Sequence, residues 1–122
     1  MNITIYHNPS CSKSRKTLEL IEKKGITPNV VTYLDNPPDA DTVLTLARLL
    51  DVRVVDLLRP GEADFAALTE ESSPNDDAAL AEGLRNHPKA LQRPIVVDED
   101  RKKAVIARPP ENVLELLGDD AT

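Results

Sequence analysis

Aromatic residues are nearly absent from this chain, which has no tryptophan, one phenylalanine and two tyrosines. Its interior must therefore be built from Leu, Val, Ile and Ala, which 122 residues supply in sufficient number for a real core. Cysteine is almost as scarce. The one cysteine permits no internal disulfide, so the chain is expected to be cytosolic (cytoplasmic). One cysteine and two distant histidines form no recognisable metal-ligand cluster, so no metal site is expected. Positive charge is in deficit as well: 15 Lys and Arg stand against 21 Asp and Glu, for a net charge of −6. That balance argues against a nucleic-acid partner, which calls for a basic face, and suits plain solubility. No apolar run approaches the roughly 18 residues needed to span a membrane. The first residues lack the basic and apolar regions of a signal peptide, so no membrane association is expected. Internal repeats, low-complexity tracts and linkers are missing, which leaves a single domain over residues 1–122.

What is present is a legible series of elements. Residues 2–6 alternate apolar and polar, as a strand does, and residues 14–24 have helical spacing, with Gly25 at the stop. Val30, Val31 and Tyr33 mark a second strand, so strand, helix and strand form a parallel crossover unit. After Pro37-Pro38, Asp39 caps a helix over residues 40–50, with Val43, Leu46, Leu49 and Leu50 on its buried side. Residues 52–88 read as a helical insertion without strands. Within it, Ser73-Pro74-Asn75-Asp76 reads as a helix start and His87 as the end. Arg93 to Val97 opens a third strand, Asp98-Glu99-Asp100 turns it, and residues 104–107 return as the fourth. A last helix holds Val113, Leu114, Leu116 and Leu117 and stops at Gly118. This order predicts an α/β protein with a four-stranded mixed sheet flanked by helices, which is a thioredoxin-like plan.

The stretch Tyr6-His7-Asn8-Pro9-Ser10-Cys11-Ser12-Lys13-Ser14-Arg15 lies where the first strand gives way to the first helix. Cys11 is thereby placed at or just before a helix N-terminus. Unpartnered amides and the positive end of the helix dipole favour a thiolate there. Ser12 and Ser14 offer hydroxyl donors, and Lys13 and Arg15 add positive charge. Such surroundings lower a cysteine pKa from about 8.5 into the range of roughly 3.5–7.5, and the same geometry binds oxyanions. Pro9 fixes the approach to Cys11, and Asn8 turns the chain through its own side chain. His7 either shares a proton with the thiol, orients the loop or merely fills space.

Three arginines stand before prolines: Arg59 before Pro60, Arg93 before Pro94 and Arg108 before Pro109. Proline stiffens each position, and the planar guanidinium fork suits a tetrahedral oxyanion. If the last two strands pair as a hairpin, Arg93 and Arg108 lie at the same end of the sheet. Taken singly, each arginine is as well explained as a solvated charge. With Cys11 they form a plausible oxyanion pocket.

The chain resembles the ArsC family of glutaredoxin-coupled arsenate reductases. The resemblance runs over nearly its whole length and is densest at residues 6–15, at Leu57-Leu58-Arg59, at Arg93-Pro94-Ile95-Val96-Val97 and at Arg108-Pro109-Pro110-Glu111-Asn112-Val113-Leu114. It implies that Cys11 is the nucleophile and that Arg59, Arg93 and Arg108 hold the arsenic oxyanion. It also implies that His7, Asn8, Ser14 and Arg15 support the loop. A thioredoxin-like fold further implies a cis Arg93-Pro94 peptide facing the cysteine. The implied reaction reduces arsenate to arsenite with no bound cofactor. Glutathione is the co-substrate and glutaredoxin the partner, because no second cysteine is present to serve as reductant.

Four alternatives stand beside this reading. A Cys-x-x-Cys redox protein is excluded by Ser14 in the second position. A cysteine-phosphatase loop would need arginine where Thr17 stands. An Spx-like adaptor of RNA polymerase does not need the arginine set, and an ArsC-like enzyme acting on another oxyanion or a glutathione conjugate shares the same pocket. The reactive-thiol reading is checked by alkylation of Cys11 with iodoacetamide as a function of pH. The rate should inflect clearly below about 8.5, the ordinary thiol value. An inflection at or above that value would mark an inert cysteine.

Overall fold

In the computed structural model, which describes residues 2–92 and 94–117, five α-helices and four strands follow the expected order. The strands are β1 (Ile3–His7), β2 (Asn29–Thr32), β3 (Ile95–Asp98) and β4 (Lys103–Ile106). They form one mixed sheet in the order β2-β1-β3-β4. Strand β1 runs parallel to β2 and antiparallel to β3, and β3 pairs antiparallel with β4. All five residues of β1 are buried, the polar ones of the alternation included. A central strand with a neighbour on each edge and side chains packed on both faces has no wet side.

The residues divide into two compact units. The first comprises residues 1–32 and 93–122, and the second residues 33–92. Helices α1 (Ser12–Lys23) and α5 (Val113–Leu117) belong to the first unit. Its core gathers Ile3 and Ile5 of β1, Ile21 of α1, Val96 of β3, and Val113, Leu116 and Leu117 of α5. Helix α1 begins two residues before the expected start, because Cys11 is its N-cap. It ends at Gly25, whose φ of 78° is a left-handed conformation that suits glycine.

The second unit is helical: α2 (Ala40–Leu50), a 3-10 turn at Val54–Leu57, α3 (Ala63–Glu71), α4 (Asp77–Gly83) and a 3-10 turn at Pro88–Ala90. Asp39 caps α2 as expected, its carboxylate accepting from the Thr42 amide at 2.8 Å. Val43 and Leu46 are buried, but Ala47 takes the third buried place while Leu49 and Leu50 are half-buried. Helix α4 starts later than Ser73-Pro74 suggested. The Ser73 side chain closes a turn onto the Asn75 amide at 3.2 Å, and Asp76 caps the helix by accepting from the Ala79 amide at 3.0 Å. The helix also stops at Gly83 rather than near His87, and the residues between continue as successive turns.

The β3–β4 turn is built on Asp98, whose side chain is fully buried. Its carboxylate accepts from the Asp100 and Arg101 amides, each at 3.1 Å, and from Arg101 Nε at 2.6 Å. Arg101 donates in turn to the Leu116 carbonyl, tying the turn to α5. Burial alone would raise the Asp98 pKa; the Arg101 guanidinium and the two amides outweigh it and hold the carboxyl below its usual value. A depressed folded pKa gives stability that is present above the unfolded value of about 3.9 and lost as pH falls through the folded one. Asp98→Ala should cost about 2–3 kcal/mol in urea unfolding at neutral pH, below the full value of a buried pair because Arg101 is half-exposed. Asp98→Asn should remove this residue's part of the acid-unfolding slope below about pH 4.

Candidate active site

The register places one end of the sheet at His7, Ile95 and Ile106, since Tyr6 pairs with Ile95 and Ile95 with Ile106. Chain leaves this end twice within the first unit: from β1 into the Cys11 loop, and from β4 into Arg108. The Ala107 amide donates to the Pro94 carbonyl at 2.9 Å and continues the hairpin one step past β4. Arg108, half-buried, follows directly. Its amide donates to the Ile106 carbonyl at 3.0 Å and its carbonyl accepts from Asn112 Nδ2 at 3.3 Å, so its backbone is fixed on both sides. Cys11 and Arg108 therefore leave the sheet at the same end, as the hairpin expectation required of Arg108. Arg93 lies outside the described residues, and the expected cis Arg93-Pro94 peptide lies there with it. Among the described residues the cis peptide bond is Arg108-Pro109.

The loop from Asn8 to Cys11 is fixed at almost every polar backbone group. The Asn8 amide donates to Ser14 Oγ at 3.0 Å, and the Asn8 carbonyl accepts from the Cys11 amide at 3.0 Å. Asn8 Oδ1 accepts from the Ser10 amide at 3.0 Å, which is the side-chain turn expected of this residue. Arg15 Nη1 donates to the Pro9 carbonyl at 2.9 Å, and the Arg15 amide donates to the Cys11 carbonyl at 3.0 Å, opening α1. Cys11 is half-buried and extended, with φ −96° and ψ 121°. No side chain caps α1, so the amides of Ser12, Lys13 and Ser14 have no intrahelical acceptor and no cap. The first turn carries no acid, only Lys13 and Arg15.

Ser14 bonds across the loop. It is fully buried, and its Oγ lies 2.6 Å from His7 Nδ1 while accepting from Asn8. The hydroxyl expected beside the thiolate thus takes these bonds inside the loop, and which of Ser14 and His7 donates to the other is set by the His7 tautomer. The paired spacing of His7 and Ser14 on either side of Cys11 was the available signal for this contact, because it spans the strand-to-helix turn. Burial, and secondarily the Arg15 charge, push the His7 pKa below its usual value.

Arg59 lies in the second unit. Its amide donates to the Ala90 carbonyl at 2.7 Å, and the Gln92 amide donates to the Leu57 carbonyl at 2.7 Å. Leu57-Leu58-Arg59 thus runs beside Ala90-Leu91-Gln92, with a bridge between Leu58 and Leu91. The Arg59 guanidinium stands 3.8 Å from Glu62, a pairing the sequence reading did not anticipate. Among the described residues, no group of three His, Cys, Asp or Glu side chains is placed to hold a metal ion. No described helix is long and apolar enough to cross a membrane.

His7 should titrate below 6.5 by proton NMR. A histidine with a depressed folded pKa adds stability above its unfolded pKa, about 6.5, and that stability is lost as pH falls towards the folded value. Ser14→Ala leaves the buried Asn8 amide without its acceptor and should cost about 1–3 kcal/mol in urea unfolding. Ser12→Ala, at an exposed position, should stay within about 0.5 kcal/mol.

The ArsC family model matches residues 6–116. The protein is 43% identical over 117 residues to the uncharacterized protein YfgD of Escherichia coli K12, covering 95% of this chain and 97% of that one. It is 38% identical over 118 residues to the arsenate reductase of Haemophilus influenzae, covering 96% of this chain and all of that protein. Among solved structures, an arsenate reductase from Vibrio cholerae matches with a TM-score of 0.85 and 41% identity, covering 94% of this chain and 97% of that one. The matched span begins at the end of β1, takes in the Cys11 loop and the Arg108 turn, and stops one residue short of the end of α5, and on that extent the chain belongs to the ArsC family.

Proposed function

We propose that this protein is an oxidoreductase that reduces arsenate to arsenite through Cys11, using glutathione and glutaredoxin as external reductants. The observation that carries the reading is the Cys11 loop itself. Its one cysteine sits at the uncapped N-terminus of α1, with no acid in the first turn, at the sheet end from which Arg108 also leaves. The names of the relatives support the substrate, and the single cysteine supports the external thiols.

In this reading the Cys11 thiolate attacks arsenic(V), a sulfur–arsenic bond forms, and one oxygen leaves as water after protonation. The amides at the start of α1 and the guanidinium of Arg108 stabilise charge on the remaining oxygens. For Arg59 and Arg93 the same role is proposed from the motifs in which they stand. Glutathione then displaces a second oxygen from the adduct. Glutaredoxin's thiolate takes the glutathione sulfur, so two thiols end as a disulfide while arsenic gains two electrons. Water then frees arsenite from Cys11. His7, Asn8, Ser14 and Arg15 hold the loop and take no part in bond changes.

Cys11→Ser should abolish arsenate-dependent oxidation of glutathione in the presence of glutaredoxin, because a serine hydroxyl is a poor nucleophile at neutral pH. Arg93→Ala and Arg108→Ala should each slow turnover by roughly 100- to 1000-fold, with the iodoacetamide reactivity of Cys11 largely kept. Lysine at either position should recover only part, since it lacks the bidentate fork. Full turnover in Cys11→Ser would end the enzyme reading and leave the adaptor alternative.

A further inference from the structure

Helix α1 and its C-cap carry five basic residues, Lys13, Arg15, Lys16, Lys23 and Lys24, against two acids, Glu19 and Glu22. The whole chain stands at −6, so everything outside this helix stands at −9. Helix stability accounts for Lys23 and Lys24, which lie at the C-terminal end where the dipole favours cations, but not for Lys13, Arg15 and Lys16. Cations in the first turns oppose the dipole, where an acid would gain about 0.3–1 kcal/mol. At 100° per residue Lys13, Lys16, Lys23 and Lys24 fall on one face, beside the buried stripe of Ser14, Thr17 and Ile21. All four are exposed. One carboxylate, Glu19, serves two of them, 3.4 Å from Lys16 and 3.3 Å from Lys23. The ridge starts two residues beyond Cys11 and runs about 16 Å along the helix.

We propose that this lysine ridge docks the protein that delivers thiol to Cys11, an oxidoreductase whose acidic face lies along α1 with its attacking sulfur over the cysteine. The inference rests on the reading that external thiols reduce this site, and it names the surface they use. An extended tripeptide thiol reaches only about 10 Å, too short to use the whole ridge. A protein contributing a contact of about 800 Å² covers it readily. Opposite potentials on two such faces steer encounter and fix orientation, and they do so most at low salt.

The test does not need arsenate. Cys11 is first converted to its mixed disulfide with glutathione. Glutaredoxin's thiolate then attacks the glutathione sulfur, the sulfur–sulfur bond breaks, and Cys11 leaves as thiolate with no net change in oxidation. The second-order rate constant is measured at about 0.02 M and about 0.5 M salt, where screening lengths differ several-fold. Lys16→Glu with Lys23→Glu should slow the low-salt reaction roughly tenfold or more, with the gap closing at high salt. Glu19→Gln, which adds net positive charge to the ridge, should speed it a few-fold. Both variants should release glutathione to dithiothreitol, a neutral small thiol, at the wild-type rate. The proposal fails if the reversed variant keeps its rate with glutaredoxin, if it loses as much with dithiothreitol, or if glutaredoxin does not react with the wild type. Arsenate turnover is measured separately. Its absence alongside ridge-dependent release would sink the arsenate reading and leave the docking surface standing.

Discussion

A buried hydroxyl holds the reactive end of this molecule together. Ser14 is the third residue of α1, yet its Oγ reaches back across the turn to the His7 ring and the Asn8 amide at the end of β1. Both partners are buried, so neither could be satisfied by water if the hydroxyl were lost. The contact fixes where the strand ends relative to where the helix begins. Cys11 lies between those two points. Its amide is held by the Asn8 carbonyl and its carbonyl by the Arg15 amide, so its backbone has little freedom. The loop thereby holds the sulfur-bearing residue at the start of α1.

The two ends of the sheet show the same physical arrangement, completed in one place and open in the other. At the Asp98 end, two amides and a guanidinium converge on a buried carboxylate that the chain itself supplies. At the His7 end, the first amides of α1 open onto a position where the chain supplies no acid, and the first turn carries the cations Lys13 and Arg15. In a sequence with 21 acidic residues, that omission is informative. Elsewhere acids enter helix starts freely: Asp39 and Asp76 cap α2 and α4. The start of α1 is instead suited to a negative charge that arrives or forms there, as a thiolate or an oxyanion does.

Most of the architecture was legible from periodicity and punctuation. The strand-helix-strand opening, the Asp39 cap, the final hairpin and the mixed sheet all follow from local signals that tertiary packing does not override. The departures have physical causes. Alternation in β1 marks a strand but not its burial, which is complete because the strand is central and covered on both sides. Ser73-Pro74 imitated a helix start because a serine cap and an ST turn share the same side-chain chemistry. The end of α4 was placed too late because Pro88 marks where a helix cannot continue, not where one stops. In the site, the residue types were legible but their bonds were not. Ser14 carries a hydroxyl in sequence, and only the fold decides whether that hydroxyl meets a thiol, a histidine or solvent.

The same distinction separates two arginines of the first unit that composition treats alike. Arg15 sits four residues beyond Cys11, but its Nη1 is engaged with the Pro9 carbonyl at 2.9 Å. Drawing it onto an oxyanion would release that carbonyl and loosen the loop that positions the sulfur. Arg108 is tied differently. Its backbone is held through Ile106 on one side and Asn112 on the other. A guanidinium carried on a rigid backbone loses less entropy on binding than one carried on a mobile segment. Arg15 therefore holds the loop that carries Cys11, whereas Arg108 stands on a fixed stretch of backbone at the same end of the sheet.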